Sequence, residues 1–333
     1  GRRWLAAALV ALDRRTAIGV DVRLPRLLAT GGVPGVLAET AKMPSDYARG
    51  VYYLKLMDAR HLSTAERAHL LEQAARLTDS DHYASELLRR VIAQGRLEDP
   101  AERSAAIAMI GGMESDHYRS EAMKALVGGP LTPEQLSTLL DVVAKMSSDH
   151  YKAELLRSLV GGTSLLAPTQ RAAVIRAVGS IESDHYASEI LTLFGSKGLI
   201  GAENAPVFVA AIERMSSDHS IAAVLSTFLA TGAPPEVGIG VTLDACDRIQ
   251  SDHYRSEVLR ELLDRTDPSE PQLLRAIELA RGMASDHYQA ETLKRVLAEA
   301  GTTGRVRDVA LDAAAELSEH YAGVVTRAAR SRE

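Results

Sequence analysis

The chain has 333 residues, of which 46% are hydrophobic and 25% charged, and a formal net charge of -6. That balance excludes a general polyanion binder, whose affinity comes from basic charge set against phosphates. One cysteine, Cys246, excludes an intrachain disulfide framework and a cysteine-rich zinc module. No apolar run approaches the roughly 20 residues of a membrane helix, so no membrane insertion is expected. Neither the lone cysteine nor the absence of methionine at Gly1 fixes a compartment, and the latter leaves room for a leader or domain upstream.

In chain order, Trp4 to Leu12 reads as a helix closed by Arg14 and Arg15. A second short helix is expected from Arg23 to Ala29, with Pro25 in its first turn and Gly31-Gly32 ending it. Residues 1–32 are taken as N-terminal capping helices, since a stacked array must cover its first face.

Residues 33–333 are a tandem array. Ser45-Asp46-Tyr47 opens the series. Ser-Asp-His-Tyr then recurs as Ser80, Asp81, His82, Tyr83; Ser115, Asp116, His117, Tyr118; and Ser148, Asp149, His150, Tyr151. It returns as Ser183, Asp184, His185, Tyr186; Ser251, Asp252, His253, Tyr254; and Ser285, Asp286, His287, Tyr288. Two copies vary: Ser217, Asp218, His219, Ser220 and Ser318, Glu319, His320, Tyr321. The nine anchor serines are 33 to 35 residues apart, a period that marks a repeat solenoid.

The copy from Thr132 to Gly162 shows the grammar. Thr132-Pro133-Glu134 is a helix start, and Leu136, Leu139, Leu140, Val143 and Met146 recur at helical spacing. Ser147-Ser148-Asp149 breaks that helix and caps the next, which runs through Leu155, Leu156, Leu159 and Val160 to Gly161-Gly162. Other copies end at Gly128-Gly129, Gly195, Gly232 and Gly301. No segment alternates as a strand would. The fold class is all-α: an α-solenoid, a HEAT-like superhelix of about nine helix-pair repeats. The tetratricopeptide and ankyrin landmarks are missing.

Counting from each serine as N-cap at 100° per residue assigns a role to every position. Positions 7, 8, 11 and 12 form the core stripe, as in Leu87, Leu88, Val91 and Ile92. Position 5 is small in every copy from Ser85 to Gly323, which implies a close neighbouring helix. Positions 2, 6 and 9 point away from the stripe. They hold the eight histidines, six glutamates (Glu86, Glu121, Glu154, Glu189, Glu257, Glu291) and six cations (Arg89, Lys124, Arg157, Arg260, Lys294, Arg327). Tyrosine falls on the flank, against the next repeat. Position 4 does not fit: it faces inward yet carries Arg119, Lys152, Arg255 and Gln289, so the first turn projects past its partner or the stems snorkel out.

Structurally, serine caps the helix, aspartate favours the helix dipole, tyrosine packs between repeats and histidine bonds a neighbouring turn. A metal reading pairs His with Glu one turn on, but helices about 8–10 Å apart separate the ligand pairs too widely to share one ion. A pH reading notes that protonating all ten histidines would carry the formal charge from -6 to +4 and change binding or self-association between about pH 7 and 5. No metalloprotease, nucleophile-elbow or phosphate-loop motif is present, so neither an enzyme nor a cofactor is expected. The acidic charge and the lack of variable base-reading positions argue against a nucleic acid partner.

Gly31-Gly32-Val33-Pro34-Gly35-Val36-Leu37-Ala38-Glu39 and Pro44-Ser45-Asp46-Tyr47-Ala48-Arg49 resemble a bacterial helical repeat region. It follows the protease part of membrane metallopeptidases of the beta-lactam-receptor type and also occurs in stand-alone exported relatives. Later copies here depart from it, with His in place of its Tyr and Tyr one residue on. The metallopeptidase's zinc motif is absent, so proteolysis does not carry over. The resemblance implies an extracytoplasmic sensing, docking or scaffolding role. The expected function is a non-enzymatic scaffold for a protein or peptide partner. The alternatives are a self-assembling structural protein built by end-to-end stacking and a metal- or small-ligand binder on the His–Glu rows. The array's run to Glu333, with only a short polar tail after Ala329, motivates the assembly alternative.

Overall fold

The computed structural model describes residues 2–77, 80–95, 97, 99–127, 131–162, 167–231, 234–299 and 304–330. These form nineteen helices and no strand, in two compact units, residues 1–165 and 166–333. Gly128, Gly129, Gly232 and Gly301, expected as helix stops, lie outside the described residues.

The first unit opens with α1 (Arg2–Thr16) and α2 (Val20–Thr40). Helix pairs follow: α3 (Asp46–Ala59) with α4 (Thr64–Ala74), and α5 (Asp81–Gln94) with α6 (Pro100–Gly111). Next come α7 (Asp116–Leu126), α8 (Pro133–Lys145) and α9 (Asp149–Gly162). Odd helices α3, α5, α7 and α9 pack side by side in one layer, and α4, α6 and α8 in a second. Each motif therefore starts a helix of the odd layer.

The second unit repeats this arrangement. Its motif layer is α11 (Asp184–Ser196), α13 (Asp218–Ala230), α15 (Asp252–Arg265), α17 (Asp286–Val296) and α19 (Glu319–Arg330). Its other layer is α10 (Pro168–Val178), α12 (Ala205–Glu213), α14 (Pro235–Cys246), α16 (Glu270–Arg281) and α18 (Gly304–Ala315). Two helix layers joined through every second element make an α-solenoid, as the period predicts.

The core stripe sits where the helical wheel places it. Leu87, Leu88, Val91, Leu155, Leu156, Leu159 and Val160 are buried, and only Ile92 is half-buried. Cys246 is fully buried, and burial pushes its thiol up to about 12, so it is a core residue rather than a nucleophile. Thr132 caps α8 as expected, and Gln135 completes a capping box with it.

The N-terminal segment differs from expectation. Its second helix begins at Val20, not Arg23, because Asp13 Oδ1 accepts the Gly19 N–H at 2.8 Å and fixes the preceding corner. Pro25 thus lies beyond the first turn. Gly32, at φ 60° and ψ -160°, breaks the helical path, and Pro34 starts the continuation to Thr40. Asp13 also accepts from Arg23 Nη1 at 2.7 Å and from Tyr52 Oη at 2.6 Å in α3. Arg14 and Arg23 both pair with buried Glu39. A buried polar network thereby ties α1, α2 and α3 together.

The small residue at position 5 marks close approach between repeats. At Gly50, the first copy, an added Cβ would lie 2.7 Å from Tyr83 Cγ and 2.9 Å from Tyr83 Cβ in α5. At Gly161, near the exposed end of α9, an added Cβ meets nothing within 4 Å. The two sites should respond oppositely to alanine. We expect Gly50→Ala to lower stability by about 1–2 kcal/mol through overpacking, and Gly161→Ala to raise it by about 0.5–1 kcal/mol through helix propensity. Urea midpoints measure both, and equal signs would contradict the close approach.

Candidate functional site: the inter-repeat joint and its histidine row

The tetrapeptide first sets a helix start. Ser45, Ser80, Ser115, Ser183, Ser217, Ser251 and Ser285 all occupy the N-cap position. Of these seven, Ser45 and Ser217 cap with the side chain, accepting from Ala48 N at 3.2 Å and Ser220 N at 3.3 Å. At Ser80, Ser115, Ser183, Ser251 and Ser285 no side-chain cap bond forms, which corrects the expectation that the hydroxyl does that work.

The aspartate reaches across the gap between repeats. Asp81 Oδ2 accepts from Glu114 N at 3.0 Å and Ser115 N at 2.6 Å. Asp116 Oδ2 accepts from Ser147 N, Ser147 Oγ and Ser148 N at 2.8–2.9 Å. Asp184 grips Ser216 and Ser217 in the same way, and Asp218 accepts from Gln250 N and Ser251 N. Asp252 accepts from Ser285 N at 2.7 Å, and Asp286 from Ser318 N at 3.0 Å. An N-cap N–H has no partner within its own helix. Each aspartate supplies that partner to the following repeat, so the motif is a joint before it is anything else.

The same contacts shift the acids. Burial alone would raise the Asp116 pKa. The bonds from Ser148, Ser147 and Arg119 outweigh it and hold the carboxyl below its ordinary range. At Asp286 the bonds from Ser318 lower it directly. The inward cations at position 4 are thereby explained. Arg119 Nη1 folds back to Asp116 Oδ1 at 3.1 Å and Lys152 Nζ to Asp149 Oδ1 at 3.5 Å. Arg255 Nε instead donates to Ile249 O at 2.9 Å.

Tyrosine and histidine complete the seam. The tyrosines Tyr83, Tyr118, Tyr151, Tyr186, Tyr254, Tyr288 and Tyr321 are half-buried, and all eight motif histidines are exposed. Tyr83, Tyr118, Tyr151, Tyr254, Tyr288 and Tyr321 look back to the preceding repeat rather than forward. Ring centroids are 6.2 Å apart for Tyr118 and His82, 5.8 Å for Tyr151 and His117, and 5.5 Å for Tyr288 and His253. Tyr83 meets Tyr47 edge-on at 5.7 Å. Seven of the eight histidines also lie 5.0–5.6 Å from the tyrosine beside them, and His219 lies 5.7 Å from Tyr254 of the next repeat, so each ring belongs partly to the seam and only its outer edge is open. Ser220 stands where tyrosine would, which ends the ribbon locally between His185 and His219.

The Glu–Lys/Arg row is laterally joined as well. Lys124 Nζ lies 2.8 Å from Glu121 Oε1 in its own helix and 2.5 Å from Glu154 Oε1 in the next. Burial would raise the Glu154 pKa, but Lys124 and Ser120 lower it overall; at Glu291 the Lys294 bond is the leading cause of a lowered value. Between α15 and α17 the row opens into a groove of about 630 Å³ walled by Glu257, Arg260, Glu261, Glu291, Lys294 and Arg295. Arg260 Nε is buried there without an acceptor. Among the described residues no group of three or more His, Cys, Asp or Glu side chains could hold a metal ion, and no helix is long and apolar enough to cross a membrane.

Neither a family model nor a curated protein matches the chain. A solved structure described as "Computational Design of Self-Assembling Cyclic Protein Homooligomers" is similar at 10% identity and a TM-score of 0.15. The likeness covers 84% of this chain and 92% of that one.

Proposed function

We propose that the chain is a non-enzymatic scaffold whose motif-helix layer binds an extended protein or peptide segment, in an extracytoplasmic bacterial setting. The observation carrying this reading is the division of labour within the motif. Serine, aspartate and tyrosine are spent on joints, while the histidines present an exposed edge at eight of the nine motif copies, beside mixed-sign charge. The groove between α15 and α17 supports it with walls of both signs, Glu257, Glu261 and Glu291 beside Arg260, Lys294 and Arg295, suited to the charged groups of a peptide. The compartment rests on the resemblance of residues 31–49 alone.

The test begins with cross-linking capture from the source cells, followed by titration of the purified partner. Replacing His253, His287 and His320 together with glutamine should weaken that partner at least about tenfold, as for loss of several polar contacts, with little change in melting temperature. A partner held equally by wild type and variant would remove the reading.

A second reading, self-association, is favoured by one observation. Among the described residues, six of the seven large apolar side chains with high exposure lie within residues 4–22, among them Trp4 at 74% and Leu9 at 56%. Sedimentation over a concentration series decides it: association that Trp4→Glu abolishes supports it, and a strict monomer ends it.

A further inference from the structure

The opposite helix layer holds a groove unrelated to the histidine row. It runs between α12 and α14 as an open groove of about 710 Å³, with a floor of small or aliphatic side chains including Pro206, Val209, Val237 and Val241. Gly240 lies in it, and an added Cβ there meets no atom within 4 Å, so the space is open.

Elsewhere in this layer long side chains close the gap between neighbours. Arg67 of α4 reaches Glu102 of α6. Gln135 Nε2 of α8 donates to Pro100 O at 3.0 Å and to Ser104 Oγ at 3.2 Å of α6. Arg305 of α18 reaches Glu270 of α16 at 3.4 Å. Between α12 and α14 themselves no such bond crosses among the described residues; just past their C-terminal ends Arg248 Nε donates to Met215 O at 3.0 Å. The groove is instead edged by Glu213, Glu236, Asp244 and Asp247. Asp247 pairs with Arg275 of α16, whereas Glu213, Glu236 and Asp244 meet no cation among the described residues. Residues 201–248 carry six acids against two bases: Arg214 leans away, against Gly179 at the end of α10, and Arg248 Nε is taken up by Met215 O at 3.0 Å.

An aliphatic floor within an unneutralised acidic rim is complementary to one kind of partner. We infer that the α12–α14 groove docks a basic peptide segment whose lysines or arginines alternate with small aliphatic side chains. The aliphatic groups fill the space above Gly240 and the cations meet Glu213, Glu236 and Asp244. The open volume of the groove lies in the range of about 300–1,000 Å³ typical of ligand clefts.

Fluorescence polarisation tests this with the full chain and a labelled peptide of repeating Lys-Val-Ala units, against a Lys-Ser-Ser peptide of equal charge. The Lys-Val-Ala peptide should bind more tightly than Lys-Ser-Ser. Glu236→Lys with Asp244→Lys should weaken it at least about tenfold, and so should Gly240→Leu, which fills the groove without altering charge. Circular dichroism confirms that each variant is folded, and should Gly240→Leu unfold, Val237→Trp replaces it. Equal binding of the two peptides, or a groove-filled folded variant that binds like wild type, would overturn the inference by reducing it to general attraction toward a chain of charge -6.

Discussion

Arg67→Ala is expected to lower stability by about 3–5 kcal/mol, the cost of leaving one member of a buried ion pair without its partner. Arg67 is 8% exposed and Glu102 is 1% exposed, and the guanidinium holds the carboxylate through both Nε and Nη2 while Nη1 donates to Leu62 O at 2.7 Å. Removing the cation strands a buried carboxylate between α4 and α6; Glu102→Ala strands the guanidinium. A pair replaced as a pair leaves no stranded charge, so Arg67→Met with Glu102→Leu should fall closer to wild type than either single alanine variant. Urea denaturation of the four proteins tests this. A double variant as damaged as the sum of the singles would show that packing, not charge, sets the cost.

Asp116→Ala is expected to cost about 2–4 kcal/mol, because one carboxylate oxygen serves three donors of the next repeat and charged hydrogen bonds are the strong class. The loss should be local. In a linear array each repeat touches only its neighbours, so weakening one joint should broaden unfolding or split it into two steps. Acidity should imitate the substitution. The folded Asp116 and Asp286 carboxyls are held below their ordinary range, so their contribution is present above about pH 4 and is lost as pH falls through the lower folded values. Asp116→Ala should therefore flatten the acid limb of the stability–pH curve. Parallel curves for variant and wild type would contradict this origin.

The architecture was legible because the information was local and repeated. Leucine spacing, Thr132-Pro133 and a serine every 33 to 35 residues sufficed to place the helix pairs. The small residue at position 5 correctly announced close approach. What sequence could not supply were partners one repeat away. Serine and aspartate at a helix start invite a local capping reading, whereas the dominant bonds from Asp81, Asp116, Asp184 and Asp218 cross to another repeat. A signal was available: an acid follows the anchor serine in all nine copies, and cations that seemed misplaced at Arg119 and Lys152 sit one turn from it. The Asp13–Arg23–Glu39–Tyr52 network and the α12–α14 groove left no comparable periodic trace, since each depends on one non-local meeting of helices.

Hydrogen exchange at the anchor serines tests the joint most directly. The backbone amide of an N-cap residue has no helical acceptor and should exchange at the rate of an open chain if the motif only starts a helix. With the aspartate of the preceding repeat as acceptor, the Ser115, Ser148, Ser217, Ser251 and Ser285 amides should be protected. Asp116→Ala should then expose Ser148 while leaving Ser251 and Ser285 slow. Fast exchange at all five serines in the wild-type chain would contradict the account.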